Sequence, residues 1–164
     1  MYNLKKKTIL WIINHFLSGT HAFTIKRALL NSVKDISLGN NVKIVGPIYL
    51  FGSLEVGNDT WIGHDFYLEG NGHVSIGSNC DIAPFVSCYT GSHEIGTHEK
   101  RGGGGINGVI SIGNGCWICG SVKILLGSVI LDGAVVSAGS VVIKFVENDC
   151  LFGGVPAKLI KRLD

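Results

Sequence analysis

"ISIGNGCWICGSVKILLGSVILDGAVVSAGSVVIK", residues 110–144, returns to the same kind of residue every six positions. Ile112, Ile118, Ile124, Ile130, Val136 and Val142 hold an aliphatic place, and four residues after it comes a small or β-branched one: Cys116, Val122, Ser128, Ala134 and Ser140. Six is neither the period of an α-helix nor the alternation of a half-buried strand. A sheet sandwich has no need of apolar residues at that spacing, whereas short strands that turn a corner every six residues do. Three such strands close one coil of a triangular prism, with the aliphatic side chains stacked inward from coil to coil.

The count extends toward the N-terminus. Leu38, Ile44, Leu50, Val56, Ile62, Leu68 and Val74 keep the step of six, the register slips by two, and Ile76, Ile82 and Cys88 restart it. Glycine often follows the aliphatic place (Gly39, Gly57, Gly63, Gly77, Gly113), where a corner needs backbone angles that other residues adopt only at a cost. The 24 glycines follow no three-residue period and form no Gly/Ser tract, so neither a collagen nor a linker fits them. At 164 residues the chain is one domain, and 46% hydrophobic against 16% charged residues excludes a disordered tail. A formal net charge of +2 gives no reason to expect a nucleic-acid partner. Five cysteines (80, 88, 116, 119, 150) lie inside apolar runs, which suits reduced thiols in the cytoplasm rather than a disulfide framework.

Residues 1–35 read as a helical segment. Ile9, Ile12, Ile13, Phe16 and Leu17 share one helical face and Ile25, Ala28, Leu29 and Val33 another, on either side of a break at Ser18-Gly19. The first helix either packs on the protein or makes peripheral contact with a membrane surface; Asn14 and His15 interrupt what would otherwise resemble a signal peptide.

The repeats over 36–164, with the closing "GVPAKLIK", resemble the hexapeptide-repeat acyltransferases, especially the galactoside, maltose and polysaccharide O-acetyltransferases. The resemblance implies an all-β fold, a left-handed parallel β-helix, against the right-handed rule for parallel crossovers. It implies an acetyl-CoA-dependent enzyme that needs no metal and acetylates a hydroxyl of a sugar or surface-glycan precursor, within a homotrimer whose sites lie between subunits. Cys119, Leu125 and Leu131 stand where the family usually has a small residue or glycine, and Leu126 where it often has proline.

"EIGTHEKRGGGGINGV", residues 94–109, cannot continue the repeat and should leave the prism as a mobile extruded loop. "TGSH" before it looks like the family segment that presents a catalytic histidine, which makes His93 the general base. Acyl transfer to an alcohol requires removal of the hydroxyl proton as oxygen attacks, and an imidazole, with an ordinary pKa of about 6.5, accepts it at neutral pH. The transfer needs no covalent intermediate. His98 inside the loop either contacts the acceptor or is solvated. Asp65 and Glu69 are acceptor-binding candidates by the same resemblance, which also lays the cofactor along Trp117, Gly120, Ala138, Ile143 and Lys144, with Lys158 and Lys161 of the tail 154–164 near its phosphates.

Three other readings use the same residues. One is N-acetylation of an amino sugar, another a zinc β-helix of the carbonic anhydrase kind using His93, His98 and His64 or His73, and the third a β-helix scaffold without catalysis. The "CWIC" segment has redox-motif spacing but lies in phase with the repeat, and "GGGG" lacks the strand, helix and Lys-Ser/Thr of a phosphate loop.

Overall fold

The computed structural model describes residues 4–163. Two helices, α1 (Leu4–Phe16) and α2 (Phe23–Asn31), precede a solenoid of about six coils, a left-handed parallel β-helix. Its first face stacks Ile36–Leu38, Ser53–Val56, His73–Ile76, Val109–Ile112, Val129–Ile130 and Phe145–Val146. The second stacks Lys43–Ile44, Trp61–Ile62, Asp81–Ile82, Trp117–Ile118, Val135–Val136 and Cys150–Gly153, and the third Ile48–Leu50, Phe66–Glu69, Ser87–Tyr89, Lys123–Leu125 and Val141–Val142. We call the corners between first and second, second and third, and third and first faces edges I, II and III.

The six-residue count is the inward count. No residue in the aliphatic place is more than 6% exposed, and the residues four places on, Cys116 to Ser140, are buried as well. Along the second face, Ile62, Ile82, Ile118 and Val136 pair in parallel register, one strand spacing of about 4.8 Å apart, so each covers the next. The two-residue slip is an enlarged corner: Val56 pairs with Ile76, and the extra residues bulge at edge III around Gly70–Gly72. A Cβ at Gly72 would collide with the carbonyl oxygen of Gly108, so only glycine lets this corner meet the end of the next coil's excursion. Leu125, Leu126 and Leu131 are tolerated because the corner ladder persists around them, with Ser128 N–H donating to Leu125 O (3.1 Å) and Leu131 N–H to Val146 O (3.0 Å).

Within the solenoid two expectations change. The irregular segment is not a loop over 94–109: Gly91–Ile95 and Gly102–Asn107 form an antiparallel hairpin with 96–101 at its tip, and Val109 already belongs to the first face. Apolar periodicity cannot reveal such a pair, because its rungs are made by backbone groups and four glycines supply most of one strand. The tail also has structure, since Lys158–Arg162 folds back antiparallel on Cys150–Gly153 and satisfies the open side of the last second-face strand.

The helices close the other end. In α1 the buried residues are Lys6, Ile9, Leu10 and Ile13, while Phe16, expected inside, is 66% exposed and meets Trp11 edge-on. Asn14 exchanges two hydrogen bonds with the Ile48 backbone (2.8 and 2.9 Å), and Lys6 reaches Asp35 (2.7 Å) and the Gly52 carbonyl (2.6 Å), fixing the helix over the first coil. In α2 the buried stripe is rotated from the expected one: Lys26 and Leu30 face inward and Ile25 and Ala28 face out, while Val33, just past the helix, is buried as expected. Lys26 takes the inner place because its ammonium donates to the Gly19 and Val45 carbonyls (2.8 and 3.0 Å) and lies 4.7 Å from the Phe23 ring. Burial pulls its pKa below the ordinary lysine value. Among the described residues no helix is long and apolar enough to cross a membrane.

Candidate functional site

The hairpin leaves the prism at edge III. Its base is tied down from both sides: Gly108 N–H donates to Thr90 O (2.9 Å), and the buried Thr90 hydroxyl donates to Glu69 O (2.7 Å) while accepting Gly72 N–H (3.1 Å). Asn107, paired with Gly91 across the hairpin, accepts the Asn71 N–H through Oδ1 (3.1 Å). These bonds set the angle at which the hairpin stands on the coil above.

His93 lies in the outgoing strand opposite Gly105, and its Nδ1 is 3.0 Å from the carbonyl oxygen of Gly103. A carbonyl oxygen only accepts, so Nδ1 carries the proton and Nε2 of the neutral ring is left as the basic nitrogen. The ring borders a cleft of about 350 Å³ lined by Glu69, Gly70, Gly91, Ser92, Ile106 and Asn107. His93 and Glu69 are thus brought together. Thr90 and Asn107 were not singled out from the sequence; "TGSH" contains the first without marking it, and nothing in the repeat points to the second.

Asp65 is elsewhere. It turns edge II with a left-handed backbone (φ 56°) and accepts a hydrogen bond from His64 Nδ1 (2.8 Å), whose ring meets Phe85 edge-on at 4.9 Å. Trp117 is 53% exposed on the second face, in the strand leading into edge II. Below Asp65 that edge carries Gly120 and Ala138, and Gly139 N–H donates to Gly120 O (2.9 Å). A Cβ at Gly139 would meet nothing within 4 Å, so this edge presents small residues with open space in front of them, which suits a narrow uncharged chain. At its lower end Lys158 pairs with Gly153, and Lys161 follows on the same returning strand. Both ammonium groups suit phosphate. Arg162 is already engaged by Glu147 (2.8 Å). Ile143 and Lys144, by contrast, sit on edge III with His93, two coils below it. The candidates therefore form two groups on adjacent edges of one chain.

The remaining histidines do not join His93 in a metal set. His73 pairs with Ser53 on the first face (2.9 Å), His64 is on edge II and His98 at the hairpin tip, and among the described residues no three His, Cys, Asp or Glu side chains come together as ligands. "CWIC" separates its thiols: Cys116 is buried at edge I, with its S–H donating to Leu131 O (3.2 Å), and Cys119 is half-buried at edge II. Burial and the Asp81 carboxylate raise the Cys119 pKa, and burial alone pushes Cys88 up to about 12. With Ellman's reagent the native protein is expected to show one slowly reacting thiol, Cys119, and all five after denaturation; fast reaction of two would contradict the packing.

No protein-family model matches the chain. It is 30% identical to galactoside O-acetyltransferase of Escherichia coli over 168 residues, covering 98% of this chain and 79% of that protein. A solved galactoside acetyltransferase in complex with coenzyme A superposes with a TM-score of 0.86 at 28% identity, over 98% of this chain and 80% of the other. A hexapeptide-repeat acetyltransferase from Vibrio cholerae, complexed with acetyl coenzyme A, gives 0.83 at 25% identity over 98% and 86%. Sequence, solenoid and relatives agree, and the chain belongs to the hexapeptide-repeat acetyltransferases and is an enzyme of acetyl transfer.

Proposed function

We propose that the protein moves acetyl from acetyl-CoA directly to a hydroxyl of a sugar or glycan precursor, with His93 as general base. The observation that carries this reading is the hydrogen bond from His93 Nδ1 to Gly103 O, which leaves Nε2 unprotonated beside a cleft that Glu69, Ser92 and Asn107 also line. A neutral alcohol is a poor nucleophile. His93 Nε2 takes its proton as the oxygen attacks the thioester carbonyl carbon, the carbon–sulfur bond breaks, and the imidazolium returns the proton to the departing sulfur. Glu69, which lines the same cleft, accepts hydrogen bonds from neighbouring hydroxyls and orients the attacking one. Acetyl-CoA supplies the activated acyl group; the groove past Gly120 and Ala138 suits its pantetheine arm, and Lys158 and Lys161 suit its phosphates.

The two groups of residues lie on different edges, so a complete site needs edge III of one subunit facing edge II of another. A closed ring of three copies provides that contact three times over, with Asp65 and Trp117 approaching the neighbour's His93. The test of the whole reading is an acceptor screen with acetyl-CoA that records released thiol. Turnover with hydroxyl sugars is the expected result; turnover confined to amino sugars would replace it with N-acetylation. Lys158→Ala and Lys161→Ala should each raise the KM for acetyl-CoA several-fold, more strongly at low salt than at high salt. An unchanged KM in both would remove these lysines from the site.

A further inference from the structure

Among the described residues, aromatic side chains gather on the outer surface of the third face around Tyr49, Phe51 and Tyr67. Ile48–Leu50 and Phe66–Glu69 pair so that Tyr49 stands over Tyr67, and the next residues in the same register bring Phe51 over Glu69. Glu69 in turn stands over Tyr89. The Tyr67 ring lies 5.7 Å from that of Tyr49 and 5.8 Å from that of Phe51. Tyr49 and Phe51 are 41% and 40% exposed, although each could have been any polar residue at an outward position of a solenoid. Lower on the same column the outward residues are Ser87 and Lys123, so the aromatic surface is confined to the coils beside and above the His93 cleft.

Glu69 belongs to both features, as a wall of the cleft and as a carboxylate beside the aromatic group. A surface of ring faces around one hydrogen-bond acceptor matches a particular ligand chemistry. A pyranose has an apolar C–H face that packs on an aromatic ring and a rim of hydroxyls that needs acceptors. Two coils span about 10 Å, room for further units beyond the one whose hydroxyl faces His93.

We propose that Tyr49, Phe51 and Tyr67 form a second subsite of the acceptor groove, so that the acceptor is a glycan of at least two linked sugars rather than a free monosaccharide. This rests on the sugar-acceptor reading given above. The acetylated unit sits between His93 and Glu69, and the adjoining unit lies against Tyr67 with Phe51 and Tyr49 beyond it.

The test compares methyl glycosides of galactose, glucose and N-acetylglucosamine with their β-linked di- and trisaccharides, following released thiol and, separately, binding by saturation-transfer NMR. In the wild-type enzyme kcat/KM should rise about tenfold from the shortest to the longest member of the preferred series. That ratio should fall toward one in Tyr67→Ala and Phe51→Ala and persist in Tyr67→Phe, which keeps the ring. The same ratio in the alanine variants, a ratio near one in the wild type, or no member of the panel bound or acetylated overturns the subsite. Dissociation of the Tyr67→Ala or Phe51→Ala protein into smaller species by light scattering also overturns it, because the surface would then be a subunit contact. A His93→Ala enzyme that still transfers acetyl would sink the base assignment alone, since NMR binding reads the subsite without turnover.

Discussion

Replacing His93 by alanine should lower acetyl transfer by about 10²- to 10⁴-fold, the usual loss when a general base is removed. The side chain is exposed, and its hydrogen bond is to the Gly103 carbonyl within the same hairpin, so its removal leaves the backbone pairing of Gly91–Ile95 with Gly102–Asn107 in place. Circular dichroism and thermal unfolding should therefore match the wild type. Acetyl-CoA affinity, measured by calorimetry, should change little, because in the proposed site His93 meets only the acetyl end of the cofactor, while the pantetheine arm and phosphates lie along Gly120, Ala138, Lys158 and Lys161. His93→Asn is the sharper control: its amide nitrogen takes the place of Nδ1 and can still donate to Gly103 O, yet it offers no basic nitrogen, and it should be as inactive as the alanine variant. Rates within a few-fold of wild type in either variant would end the assignment. A loss of rate that came with unfolding would show the side chain to be structural.

The second large effect is complementation between two dead enzymes. Ala138 is exposed on edge II, so Ala138→Trp obstructs the proposed cofactor path without disturbing the interior, and alone it should abolish acetyl-CoA binding. His93→Ala alone abolishes turnover through edge III. If each site borrows edge III from one subunit and edge II from the next, equal mixing of the two variants into shared trimers restores about a quarter of the sites, namely those that draw an intact half from each parent. Refolding or coexpressing the pair and measuring released thiol checks this directly. Activity no higher than the parents', in mixtures shown by mass spectrometry to have exchanged subunits, would mean that each chain carries its own complete site.

Much of the scaffold was legible because a solenoid repeats one physical requirement. Each inward slot accepts one aliphatic side chain, so Ile112 through Val142 announce the coils, and the outward phase of Trp117 follows from the same count. Where that requirement lapses, so does legibility. The hairpin is held by backbone bonds among glycines, and the returning strand Lys158–Arg162 is exposed throughout, so neither carries an apolar rhythm. The buried stripe of α2 was misplaced because a lysine occupies an inner position by satisfying two carbonyls, which hydrophobicity alone cannot foresee. His93 is proposed from its motif, and the structure places it beside Glu69 at one cleft. Thr90 and Asn107, which hold the hairpin to its coil, were missed because their roles depend on which coil lies above, and a period specifies phase without specifying neighbours.

The junction of hairpin and coil has one more consequence. Thr90 and Gly108 are joined by a single hydrogen bond, so the chain leaves the prism and re-enters it at nearly the same point. What is carried between them is an interchangeable cartridge: doubling the length of such an insert costs only about 0.6 kcal/mol in closure entropy, and the coils beneath do not register the difference. The reach of the hairpin over the cleft beside His93 can change with the insert while the inner stack stays the same.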